Sequence, residues 1–124
     1  MTTRFALLVV VLACGCGSKP SAMDVCGKLK AAGEVSACAP EAPSGLGGAA
    51  AEGASGTLPG DKACGVMTFK DEAAFNSTVA AFEAAAMLAG PHRYGNKAKL
   101  VFVQCSSGLD AAHGAKVKAV VDAL

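Results

Sequence analysis

Two stretches decide how this chain folds: residues 63–69, Ala-Cys-Gly-Val-Met-Thr-Phe, and residues 99–105, Lys-Leu-Val-Phe-Val-Gln-Cys. Both are short and rich in apolar, β-branched and aromatic residues, and both read as strands. The second has an unbroken apolar centre, Leu100 to Val103, which suits a strand covered on both faces. Between them, Asp71 and Glu72 place negative charge where the dipole of a starting helix favours it. Phe75, Val79, Phe82 and Ala86 then follow as an apolar stripe at helical spacing. Gly90-Pro91 ends that helix, with Gly as the cap and Pro as the stop. Residues 107–110, Ser-Gly-Leu-Asp, open another helix, whose apolar face is Leu109, Val117, Val120, Val121 and Leu124. Residues 63–124 therefore read as a β-α-β-α module. The fold class expected is α/β (or α+β), as one small domain.

A single helix between two strands implies a parallel, right-handed crossover. The cysteines pull against that topology. Cys64 opens one strand and Cys105 closes the other, so in a parallel pair they stand about 20 Å apart, beyond disulfide reach. Either the strands are antiparallel, with residues 89–98 carrying the chain back across, or the cysteines have other partners. Two strands make a poor sheet by themselves. A third strand from residues 34–38, or pairing across a homodimer, would complete it.

Upstream, Ser21 followed by Asp24 has the form of a helix N-terminal capping box. Val25, Cys26, Leu29 and Ala32 share one face, and Gly33 is placed to cap the C-terminus. On one unbroken helix Cys26 and Cys38 would be about 18 Å apart. The reversal at Gly33 brings them within bonding range, so residues 21–38 read as a helical segment closed by a Cys26–Cys38 disulfide. That pairing leaves Cys64 and Cys105 over, and a Cys64–Cys105 disulfide is the second one expected. Residues 39–62 are low in complexity, dominated by Pro, Gly, Ala and Ser. They have too little apolar bulk to offset the entropy of ordering, and read as a flexible loop, with a functional lid as the sharper alternative.

The N-terminus supplies the address. Residues 1–4 end in Arg4, residues 5–13 form a continuous apolar run, and Cys14 and Cys16 follow among small residues. A charged start, a short apolar core and a small-residue exit describe a secretory signal peptide, here residues 1–13. The apolar run is about half of what a bilayer span needs. Val11-Leu12-Ala13-Cys14 resembles the lipobox of bacterial lipoproteins. The resemblance implies cleavage before Cys14, attachment of a diacylglycerol to its thiol, usually acylation of the new amino terminus, and a lipidated tether at residues 14–20. Leu12 departs from the commoner small residue, which leaves Cys16 as the alternative lipidation site through Ala13-Cys14-Gly15-Cys16. Gly15 after the lipidated residue leans, by family analogy, toward the outer membrane. The C-terminal half also resembles small uncharacterised bacterial lipoproteins, a likeness that implies no activity.

Export makes the cysteine count meaningful. With Cys14 lipidated, five cysteines remain and Cys16 is the odd one out; with Cys16 lipidated, the remaining four can all pair if Cys14 leaves with the signal. Four cysteines allow three connectivities. Disulfides also suit an Ala- and Gly-rich domain whose core buries little area per residue. Loss of Arg4 with the signal leaves as many basic as acidic residues, from eleven and ten in the whole chain. That balance offers no basic patch for nucleic acid and no polybasic grip on a membrane, so membrane attachment falls to the lipid.

Candidate chemistry is sparse. His92, Arg93 and Tyr94, between Pro91 and Gly95, form the densest polar cluster. They could bind an anion, with Arg93 as a fork of donors and Tyr94 as a hydroxyl. The plainer alternative has Tyr94 packed over a helix end and His92 or Arg93 donating to helix carbonyls. His113 sits on the apolar face of the last helix, as a packed, hydrogen-bonded residue. Ser106 and Ser107 read as capping residues, and no cysteine or histidine spacing has metal-site form. No cofactor and no metal are expected. The functional expectation is a non-enzymatic envelope lipoprotein, acting in structure or in binding a protein partner. The alternative is a small-ligand binder using residues 91–96. An enzyme would need a carboxylate such as Glu83 or Asp110 beside His92. Replacing Cys14 with Ser is expected to leave an unprocessed, unlipidated precursor on a gel; normal lipidation of that variant would move the anchor to Cys16.

Overall fold

The computed structural model describes residues 19–124; Cys14, Cys16 and the signal segment lie outside the described residues. Four helices and five strands form one mixed α/β domain in the order α1 (Ala22–Ala31), β1 (Ala37–Pro40), β2 (Glu52–Leu58), β3 (Lys62–Thr68), α2 (Glu72–Ala84), α3 (Ala86–Ala89), β4 (Arg93–Asn96), β5 (Val101–Cys105) and α4 (Ala111–Asp122). The sheet order is β1-β2-β3-β5-β4, with every neighbouring pair antiparallel.

Of the two arrangements open to residues 63–69 and 99–105, the antiparallel one forms. β3 and β5 are antiparallel, and Cys64 faces Cys105 directly across the pair. The crossover does occur, but its second strand is β4. Since β4 and β3 both run antiparallel to β5, they are parallel to one another. A one-turn 3-10 helix at Lys97–Lys99 then returns the chain as β5, which slots between them. Four-residue β4, Arg-Tyr-Gly-Asn, has no apolar alternation to announce it, because Gly95 contributes no side chain and Asn96 caps the next turn by accepting from the Lys99 amide.

Both disulfides expected from the cysteine positions form: Cys26–Cys38 and Cys64–Cys105. Bonds of this kind form and persist in oxidising compartments outside the cytosol. The first joins α1 to the edge strand β1, closing a loop whose constraint is worth about 3 kcal/mol. Its geometry depends on the end of α1. Gly33 adopts φ +78°, its amide bonds to the Lys30 carbonyl, and the Glu34 amide bonds back to Leu29. This is a Schellman cap, and it reverses the chain into β1.

Residues 39–62 are not the flexible loop their composition suggests. They hold the end of β1, a 3-10 turn at Gly45–Gly47 and all of β2. β2 pairs along its full length with β3 and on its other side with β1. The small residues are what this packing requires: a Cβ on Gly56 would sit 2.8 Å from a methyl of Val35. Ala54 and Leu58 of β2 are buried. Backbone pairing and close approach order a segment that side-chain bulk alone could not.

The sheet separates two cores. On one face, α1 and α4 bury Val25, Leu29, Val117 and Val121 against Val66, Val101 and Val103 and both disulfides. On the other, α2 brings Phe75 and Phe82 onto Met67, Phe69 and Phe102. β5 is thus covered on both sides, as its apolar run requires. Helix caps complete the elements. Ser21 and Asp24 form the reciprocal box at α1, Asp71 accepts from Ala74 at α2, and Asp110 accepts from His113 at α4.

Backbone and hydroxyl hydrogen bonds from Ser21 hold the Asp24 carboxyl below the usual range, and the His113 amide does the same for Asp110. A group depressed on folding contributes stability above its unfolded pKa and loses it as pH falls through the folded value. Stability is therefore expected to be level at neutral pH and to decline below about pH 4. Asp24→Asn and Asp110→Asn, which keep a capping acceptor, should flatten that decline in urea titrations at several pH values.

Candidate functional site

The structure separates the three residues His92, Arg93 and Tyr94. Because side chains alternate across a strand, His92 and Tyr94 face α4, and Arg93 faces α2. His92 is 8% exposed. Its Nε2 lies 2.6 Å from the Leu109 carbonyl, which can only accept, so Nε2 carries the proton. In the neutral ring Nδ1 then accepts from the Tyr94 hydroxyl at 2.9 Å. Burial raises the pKa of that phenol, with the positive charge of Lys118 opposing part of the effect. Arg93 Nε donates to the Gly90 carbonyl at 2.9 Å, and its guanidinium pairs with Glu83 at 3.2 Å. The expectation that residues 91–96 form a ligand-binding loop meets three side chains already occupied within the fold. The three side chains do not converge on a concavity, the His92 ring nitrogens are engaged, and Glu83 is spent on Arg93. They hold helix ends to the sheet, which is the plainer of the two roles their sequence allowed.

His113 is likewise structural. Its Nε2 donates to both Oε2 and the main-chain carbonyl of Glu34, at 2.8 and 2.9 Å. Glu34 is only 7% exposed, so this pair ties α4 to the turn after α1. Among the described residues, no group of three His, Cys, Asp or Glu is placed to hold a metal ion, and no helix is long and apolar enough to cross a membrane.

A different site emerges on the α2 face. A cavity of about 330 Å³ lies between residues 41–47, the sheet surface at Gly53, Gly65, Met67 and Gln104, and the α2–α3 junction at Phe82, Leu88 and Ala89. Gly65 on β3 leaves the sheet bare there, while Gly53 on β2 makes room for the Glu41 carbonyl of the facing segment. One wall is the low-complexity segment, seated where the Glu41 amide bonds to the Gly53 carbonyl. The opposite wall is α3, whose last carbonyls are gripped by two sheet side chains. Gln104 Nε2 donates to Ala89 at 2.7 Å, and Arg93 Nε donates to Gly90. Arg93 thus reaches this site indirectly, by fixing the wall.

Two large apolar side chains of the lining stand unburied, and a third, Met87, adjoins Leu88 in the chain. Leu46 is 42% exposed, Leu88 is 89% exposed and Met87 is fully so. Exposed apolar side chains that adjoin one another, as Met87 and Leu88 do, are a surface feature that calls for an explanation. Two polar groups on the 41–47 wall are idle. The Glu41 carboxylate has no ion pair or hydrogen bond among the described residues. Ser44 makes no capping bond, although Ser21, Asp71, Asn96 and Asp110 all make theirs. Among the described residues, no Lys, Arg or His lines the cavity.

The chain matches no family model, no curated protein and no solved structure, so the reading of this site rests on its own chemistry. Sequence reasoning missed it, although two signals were present. Met87 and Leu88 are bulky apolar residues lying off the stripe of Phe75, Val79, Phe82 and Ala86. Leu46 is one of only two large aliphatics in residues 39–62, and the other, Leu58, is buried.

The packing of His92 and Tyr94 against α4 yields a test. A Cβ on Gly114 would lie 2.5 Å from the Tyr94 hydroxyl and 2.6 Å from His92 Nδ1, whereas one on Gly27 meets nothing within 4 Å. Both glycines are helical, so propensity alone favours Ala at each. Gly114→Ala is expected to destabilise by about 1–3 kcal/mol through overpacking, while Gly27→Ala stabilises by about 0.5–1 kcal/mol. Thermal or urea unfolding separates the two; equal gains would mean that the His92–Tyr94 contact is not formed.

Proposed function

We propose that this protein is a non-enzymatic lipoprotein of the cell envelope: a disulfide-stapled domain leashed to a membrane by an acylated Cys14 (or Cys16), with the cavity between residues 41–47 and α3 as its contact surface for a protein partner. The observation that carries the contact role is the pair Met87 and Leu88, exposed on a four-residue helix whose end is held in place by Gln104 and Arg93. A fold that leaves two large apolar residues in water, yet anchors the backbone beneath them, favours a preformed surface that a partner covers. The two disulfides support an exported location. The lipobox supports the anchor, and the two or three chains it implies suffice for stable attachment where one would not.

A second reading, binding of a small ligand, is favoured by the cavity's volume, which falls at the lower end of small-molecule sites. It differs from the sequence expectation in placing the ligand at residues 41–47 and α3 instead of at residues 91–96. Met87 favours the first reading, since it stands outside the cavity lining and extends the apolar surface beyond what a small molecule would cover.

Fractionation with intact-mass measurement tests the location. The mature protein is expected in the membrane fraction, released by detergent, with its amino terminus at Cys14 and a thioether-linked diacylglycerol. A soluble cytosolic protein retaining Met1 would contradict the proposal.

A further inference from the structure

Resting on the contact role proposed above, we infer that the cavity takes a peptide segment of a partner protein that pairs a large apolar anchor residue with a neighbouring Lys or Arg. The anchor side chain enters between Gly65, Phe82 and Ala89. Leu46 and Leu88 close over its flanks from opposite walls, and Met87 extends the apolar strip along the segment. The basic neighbour meets Glu41, and the Ser44 hydroxyl accepts a further N–H from the same segment.

The occupant is chosen by charge. Among the described residues, the lining offers one carboxylate with no partner and no cation. An anionic bilayer surface is drawn to Lys and Arg, and here it would meet Glu41 instead. A second copy of this chain, docked on the same surface about a two-fold axis, would bring the two Glu41 side chains to one seam with no cation from either cavity lining to pair them. A segment carrying its own positive charge relieves both difficulties. Glu41 and Ala42 are exposed and Pro43 is half-exposed, so the carboxylate can move to meet its partner.

Panning a library of random dodecapeptides displayed on phage against the purified, oxidised protein tests the inference. Enriched peptides are expected to place Lys or Arg within about four positions of a Leu, Ile, Met or Phe, the reach of one segment across a groove. Synthetic copies should bind Leu88→Ser about tenfold more weakly, the effect of uncovering one aliphatic side chain. They should bind Glu41→Gln about two- to fivefold more weakly, an exposed ion pair's worth. The second loss should vanish in high salt, and it should be absent for peptides whose Lys or Arg is replaced by Ser. Leu88 and Glu41 are both exposed, so unchanged thermal unfolding of the variants separates loss of binding from loss of fold. No enrichment, an acidic or charge-neutral consensus, or equal binding to Leu88→Ser would overturn the inference. So would vesicle binding or concentration-dependent dimerisation that Leu88→Ser abolishes. None of these outcomes touches the lipid anchor, which the mass measurement decides separately.

Discussion

The antiparallel pairing of β3 with β5, closed by the Cys64–Cys105 bond, is the constraint on which the rest of this structure depends. β5 is the strand whose side chains reach both cores: Val101 and Val103 belong to the layer under α1 and α4, Phe102 to the layer under α2. Once β5 lies between β3 and β4, the sheet has an apolar surface on each side and helices must cover both. Few aromatics and many alanines make each layer thin. The covalent link across the centre compensates by reducing the freedom of the unfolded chain.

From this arrangement the site follows. Five strands accommodate α1 and α4 side by side on one face, but α2 covers the other only in part. The remainder is floored by glycines and walled by the 41–47 segment and α3. α3 is a short helix without a polar N-cap, and its place is set from below, by Gln104 of β5 and Arg93 of β4. The same strand that joins the two cores therefore also presents Leu88 and Met87.

Much of this was legible in the residues and some was not, for reasons that are physical. Capping chemistry at Ser21, Asp24 and Gly33, the stripe of Phe75 and Phe82 and the apolar run of β5 each act locally, and each appeared where its pattern placed it. The cysteines went further, because the 64–105 pairing already argued against parallel strands. What stayed hidden depends on distant partners. Between Glu52 and Leu58, β2 is built from Gly, Ala, Ser and Thr, and it is ordered by backbone pairing on two sides and by contact with Val35 and α1. β4 is too short to show a period. His92 and Tyr94 looked like a binding cluster because polar residues adjacent in sequence suggest a shared site, whereas strand alternation sends Arg93 the other way. The exposed rim at Leu46, Met87 and Leu88 could only be recognised once burial was known.

The central claim is that two specific crosslinks hold this domain in an antiparallel sheet. Non-reducing proteolytic mapping of the native protein by mass spectrometry tests it most directly. The account predicts two linked peptide pairs, one containing Cys26 with Cys38 and the other Cys64 with Cys105. Free thiols at Cys64 and Cys105, or either of them joined to Cys26 or Cys38, would contradict it.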